Sequence, residues 1–225
     1  MIRSLKIFVG TALALALVGG CTMGDDKMMA DKKMAGKEAR AHIGHVMTGW
    51  NDTPGGKGLL VIAEGEAKIA LQHANFAIDK PDDIKWMKTH ATHVLNAVDP
   101  TAMAKGPGMG YGVIKAAGGA AKHIQFAAKS SDASDNVKLH ATHVATSANN
   151  AVDRAKQIVA LAEKIAKDNS EFSVAAFARE MKNLCEDLLN GYDADGDGKV
   201  SWMKGEGGLA QARQHMGFMM KGENM

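Results

Sequence analysis

Between residues 37 and 168, apolar positions recur three and four apart, alanine is the commonest filler, and strand-like alternation is almost absent. In 82–98, Ile84, Met87, Ala91, Val94, Leu95 and Val98 fall on one stripe of a 3.6-residue helix. Trp86, His90, His93 and Ala97 form a second stripe ~120° away, and Lys85, Lys88, Thr92 and Asn96 take the remaining side. Two uncharged stripes on one helix imply neighbours on both. In the preceding segment Ile62, Glu66, Ile69, His73 and Phe76 share a face, which also turns His73 inward. Breaks fall at 51–57, at Asp79-Lys80-Pro81, at 100–112 and at 130–134, with Pro81 suited to a first turn and Ser131 or Ser134 to an N-cap. The spacing predicts helices over 37–50, 58–78, 82–98, 112–129 and 134–167. A further amphipathic stretch carries Phe177, Met181, Leu184, Leu188 and Leu189 up to Tyr192.

The string His-Ala-Thr-His-Val occurs at 90–94 and again at 140–144, each 17 residues after a lone histidine, His73 or His123. Phe76 and Phe126 keep the same offset of 50, and His42-Ile-Gly-His45-Val46 is a looser copy. The expected fold is therefore all-α: an antiparallel helical bundle built on a duplicated two-helix unit. Residues equidistant from a hairpin turn lie at one height, so His73 is expected level with His90, and His123 with His140. Two imidazoles at i, i+3 share a helix side, and a third from the facing helix completes a nitrogen donor set suited to Cu, Zn, Ni or Fe. The expected sites are His73, His90 and His93, and then His123, His140 and His143. His42 and His45 complete either one or begin a third with His215, and Glu66 is a candidate carboxylate ligand for the first. Two alternatives stay open: inert structural histidines, and a non-covalent bis-histidine haem. Covalent c-type haem is excluded because no Cys-x-x-Cys-His occurs.

The segment Asp193-Ala-Asp195-Gly-Asp197-Gly198-Lys199-Val200-Ser201 resembles an EF-hand loop. The resemblance implies a Ca2+ site formed by Asp193, Asp195, Asp197, the Lys199 carbonyl and Ser201. At the twelfth position this chain has Lys204 where that family has glutamate. Glu206, among glycines, is the residue that could fold inward instead. An EF-hand-like helix-loop-helix is therefore expected over 171–220, after the histidine-containing bundle at 37–168.

The amino end changes the picture of where the protein works. Arg3 and Lys6 precede an apolar run, and Leu17-Val18-Gly19-Gly20-Cys21 resembles a bacterial lipobox. The resemblance implies a signal peptide over 1–20, a lipid on Cys21 and attachment to a membrane, with 21–36 as a flexible tether. Thr22 rather than Asp after the cysteine points to the outer membrane, facing the periplasm. The chain carries 27 basic and 25 acidic residues with no basic block, which argues against a nucleic-acid partner. With Cys21 acylated, Cys185 has no disulfide partner. Methionines gather at both ends, and their thioethers suit Cu(I), although on a helix they more often fill a core. No His-Glu-x-x-His, phosphate loop or nucleophile–base arrangement is present, so a binding protein of the cell envelope is expected rather than an enzyme.

Overall fold

The computed structural model describes Lys33–Met225. The expected signal peptide, Cys21 and all but the last residues of the tether lie outside the described residues. Seven α-helices follow: α1 Lys37–Met47, α2 Leu59–Asp79, α3 Ile84–Val98, α4 Val113–Lys129, α5 Asp135–Lys167, α6 Glu171–Asn190 and α7 Leu209–Gly222. No strand occurs among the described residues.

The helix starts follow from side chains that satisfy first-turn amides. Asp83 accepts from the Trp86 amide, Ser134 from that of Val137 and Ser170 from that of Ser173. Pro81 thus stands in the turn before α3 rather than in its first turn, and of the two serines considered as caps, Ser134 is the one used. The first helix ends at Met47 instead of residue 50, which releases Trp50 to fold back over the helix it would otherwise have extended. Gly112 enters α4 with φ +81°, and a side chain there would collide with the Pro100 ring.

The helices meet through small residues. The 33-residue α5 packs against α3, α4, α6 and α7, burying Ala141, Ala148, Ala151 and Ala155 between the larger Val137, Val144, Ile158 and Ile165. α2 buries alanines 63, 67, 70, 74 and 77 in the same way. Alanine faces permit axis separations near the short end of the usual ~8–10 Å range. Helix pairs α1–α4, α2–α3 and α5–α7 are in direct contact. Lys33–Met225 forms one compact unit, and the turn at 168–170 that joins α5 to α6 lies at its surface. Met181, Met216 and Met219 are fully buried core residues.

The end of the tether is docked rather than free. The Ala35 amide donates to buried Glu223 (2.6 Å) and the Gly36 amide to the Asp132 carbonyl (3.0 Å). Glu223 also accepts from Ser134 and Asn136, which stitches the two ends of the described chain together.

Candidate metal centres

All nine histidines of the chain converge in three sets of three. In the first, His42 and His45 from α1 meet His123 from α4, with Nδ1···Nδ1 distances of 3.1 and 3.3 Å to His123. In the second, His73 from α2 lies 2.9 Å from His90 and 3.2 Å from His93, both on α3. In the third, His140 and His143 from α5 each lie 3.2 Å from His215 on α7. Every set therefore has the same plan: an i, i+3 pair on one helix, a single imidazole from a neighbour, and Nδ1 atoms turned towards one point. No carboxylate or thiolate belongs to any of the three sets.

Hydrogen bonding alone does not account for this arrangement. A neutral Nδ1 carries either one hydrogen or one in-plane lone pair, so the single histidine cannot form two well-directed bonds to both members of the pair. A cation at the centre would satisfy all three lone pairs at once. The observed separations are close to the ~3.3 Å nitrogen–nitrogen edge of a tetrahedron with metal–nitrogen bonds of ~2.0–2.1 Å.

The electrostatics favour the ligating form. Burial first, and then the two neighbouring rings, push His73, His123 and His215 down to about 4. Burial also lowers His45, His90 and His143. These imidazoles are neutral at pH 7 and keep their lone pairs for an ion.

Each set has its own aromatic cover. Trp50 stands 4.7 Å from His45 and 4.6 Å from His123 between ring centroids, with Phe126 5.4 Å from His42. Trp86 lies 4.3 Å from His90 and donates its indole N–H to the Phe76 carbonyl, while the Phe76 ring is 5.2 Å from His90. Trp202 stacks on His143 at 4.0 Å, and Phe218 lies 5.6 Å from His215. All three tryptophans of the chain are used in this way, and none sits in the core.

The expected set of His73, His90 and His93 is brought together. The expected set of His123, His140 and His143 is not: His123 joins His42 and His45, while His140 and His143 take His215. Hairpin spacing fixes height along a helix but not which neighbour a face meets, and α4 turns His123 to α1 while α5 turns its pair to α7. A sequence signal for the single ligands was present. His-x-x-Phe occurs at 73–76, 123–126 and 215–218, and these histidines stand 15, 11 and 7 residues after Gly58, Gly112 and Gly208. Each glycine directly precedes its helix, and steps of four keep the histidine on about the same face, one turn nearer the start each time.

Glu66 is not a ligand. Its buried carboxylate accepts from the amides of Met109, Tyr111 and Gly112, all at 2.9 Å, and so fixes the loop that leads into α4. Asn96 supports the same loop through the Met103 carbonyl and the Gly108 amide. Asn150 does likewise for the loop entering α7, through the Met203 carbonyl and the Gly205 amide. There the buried Arg154 guanidinium donates to the carbonyls of Gly205, Glu206 and Gly207. These loop anchors carry no local sequence signal, and they aim two of the three single histidines.

The acidic loop between α6 and α7 gathers the carboxylates of Asp193, Asp195 and Asp197 within reach of one ion. Asp193 accepts from the amides of Gly196 (2.8 Å) and Gly198 (2.9 Å), and Asp197 from that of Lys199 (2.8 Å). The Ser201 hydroxyl accepts from the Met203 amide. Glu206 folds inward, but to the Ser201 amide (2.9 Å) rather than into the group of three carboxylates. Cys185 is buried, which pushes its thiol well up and keeps it protonated.

No described helix is long and apolar enough to cross a membrane. Compared with protein-family models, curated proteins and solved structures, the chain matches none.

Proposed function

We propose that the protein binds transition-metal ions at three equivalent tris-histidine sites, as a lipid-anchored component of the bacterial cell envelope. The observation that carries this reading is the threefold recurrence of one donor plan, which uses every histidine of the chain and sets one Nδ1 against two others that it cannot both serve by hydrogen bonds. The order of motifs supports an origin by duplication. His-x-x-His-Val on one helix is followed along the chain by His-x-x-Phe on a later one three times, with α6 standing between them in the third. The first two such units exchange partners, α1 with α4 and α3 with α2, whereas the third closes on itself through α5 and α7.

Binding rather than catalysis is the function in this reading, with attachment to the outer membrane, facing the periplasm, through Cys21. The EF-hand-like loop takes Ca2+ through Asp193, Asp195 and Asp197, with the Lys199 carbonyl and Ser201 completing the set. Glu206 holds the end of the loop by accepting from the Ser201 amide. Calcium here acts as a structural ion that stabilises the folded state by mass action. A haem is disfavoured, because nitrogens in hydrogen-bonding contact leave no gap for a porphyrin plane between them.

Elemental analysis and titration of the metal-free protein test the proposal. Three transition ions per chain are expected, falling to two when His90 and His93 are both replaced by alanine. A metal-free protein that takes up none of Cu, Zn, Ni or Fe would overturn it.

A further inference from the structure

The three sites share features that select among ions. Their donors are imidazoles, which bring no negative charge to an ion, and no carboxylate or thiolate joins the set. A bound ion therefore keeps its full charge at a half-buried position. Charging a poorly solvated site scales with the square of the charge, so a divalent ion costs about four times what a monovalent one does there. The aromatic rings cover the same positions and add an attraction for a cation. Each set has one indole and one phenyl ring against its imidazoles, and the negative face of an indole attracts a cation, tryptophan most strongly. Lys80 already places its ammonium 4.0 Å from the centroid of Trp86, on the same indole that covers His90.

Packing alone does not explain these rings. The tryptophans are half-buried beside the histidines, and Phe126 and Phe218 keep 39% and 47% of their surface exposed. A core-filling role would have put the largest side chains among the fully buried residues, where isoleucine, leucine and methionine stand instead. The loop that delivers Trp50 folds back from the end of α1, and Trp202 comes from a different chain segment altogether, yet both reach a histidine set. The common element is an aromatic cover over three imidazole nitrogens.

We propose that each site takes a monovalent soft cation, Cu(I), held by three Nδ1 atoms, with the tryptophan as its shield and cation–π partner. This rests on the transition-metal reading above and narrows it. Three nitrogens suffice for a d10 monovalent ion, whereas Zn, Ni and Fe in the divalent state add a fourth or further ligand. Trp50 serves His42, His45 and His123; Trp86 serves His73, His90 and His93; Trp202 serves His140, His143 and His215.

The test is an anaerobic titration of the metal-free protein with Cu(I) against a chromophoric Cu(I) chelator, run in parallel with Zn(II) against a Zn(II) chelator. Three Cu(I) per chain are expected to resist the competitor, with tryptophan fluorescence falling in proportion to loading. Trp50→Leu, Trp86→Leu and Trp202→Leu should each weaken one Cu(I) site about tenfold and leave Zn(II) affinity unchanged. Trp→Phe at the same positions should restore part of the loss and guards against a folding defect. If three Zn(II) bind while Cu(I) is stripped by its chelator, the monovalent assignment falls and the transition-metal function stands. If the Trp→Leu variants weaken Zn(II) equally, the tryptophans are structural and the assignment also falls. If neither ion binds, both readings fall together.

Discussion

The sites on α2–α3 and on α5–α7 have the same donor plan but are built differently. In the first, His73 and His90 are separated by 17 residues and a short turn that begins beyond Asp79. In the second, His215 reaches His143 across 72 residues that include α6 and the acidic loop. The first geometry is nearly a local property of one helical hairpin. The second depends on anchors far from the imidazoles: Asn150 and Arg154 hold the loop that starts α7, and Trp202 rides on the same loop. Identical chemistry can therefore rest on supports of unequal reach, and the two sites should fail under different insults.

The strongest way to separate them is Arg154→Met. It leaves three loop carbonyls without their buried donor, which should cost about 3 kcal/mol of stability by denaturant unfolding. Metal stoichiometry in the surviving folded protein should fall from three to two, with the α2–α3 site intact. Retention of all three ions would show that the α7 site does not need its loop anchor. Next come the single ligands. His73→Ala and His215→Ala should each remove one ion by titration, with little change in thermal stability of the metal-free form, because both rings are only partly buried. If His73→Ala also emptied the α5–α7 site, the two would not be independent.

Calcium should act on one side of the comparison only. Chelation is expected to lower the melting temperature by a few degrees and to weaken the site that Trp202 covers, leaving the α2–α3 site unchanged. Asp193→Ala should reproduce the effect in the presence of calcium, and equal melting curves with and without the ion would show an empty loop.

Acid should act on both sites alike. The single histidines sit at about 4 in the folded chain against an ordinary 6.5. Between those values the unfolded chain binds protons that the native state resists, so unfolding becomes easier as pH falls from about 6.5 towards 4, and the stabilisation is fully present above that window. Unfolding midpoints of the metal-free protein at pH 7, 5.5 and 4.5 measure this. A flat profile would show that the rings are not held neutral by burial.

Much of this was legible from residues alone. The five helices of 37–168 appear within a few residues of their expected limits, because amphipathic period and caps such as Asp83 and Ser134 are local properties. The pairs His42/His45, His90/His93 and His140/His143 follow from helix geometry, and His73 from a short hairpin. Hairpin spacing points His123 to His140 and leaves His215 without a defined partner, whereas the fold joins His123 to His42 and His45 and His215 to His140 and His143. Glu66 is a candidate ligand by its helix face alone, whereas its carboxylate meets three amides of a loop more than forty residues away.

The sequence by itself determined that the chain is helical, which imidazoles stand side by side on one helix, and that an acidic loop separates the last two helices. Only the tertiary structure decided which helix supplies the third imidazole and which indole covers it. The reason is physical: period and capping act within one or two turns, while many of these helices present alanine faces of similar size that could dock in several ways. The choice among them is settled by long-range anchors such as Arg154, Asn150, Glu66 and Glu223, whose partners lie far along the chain.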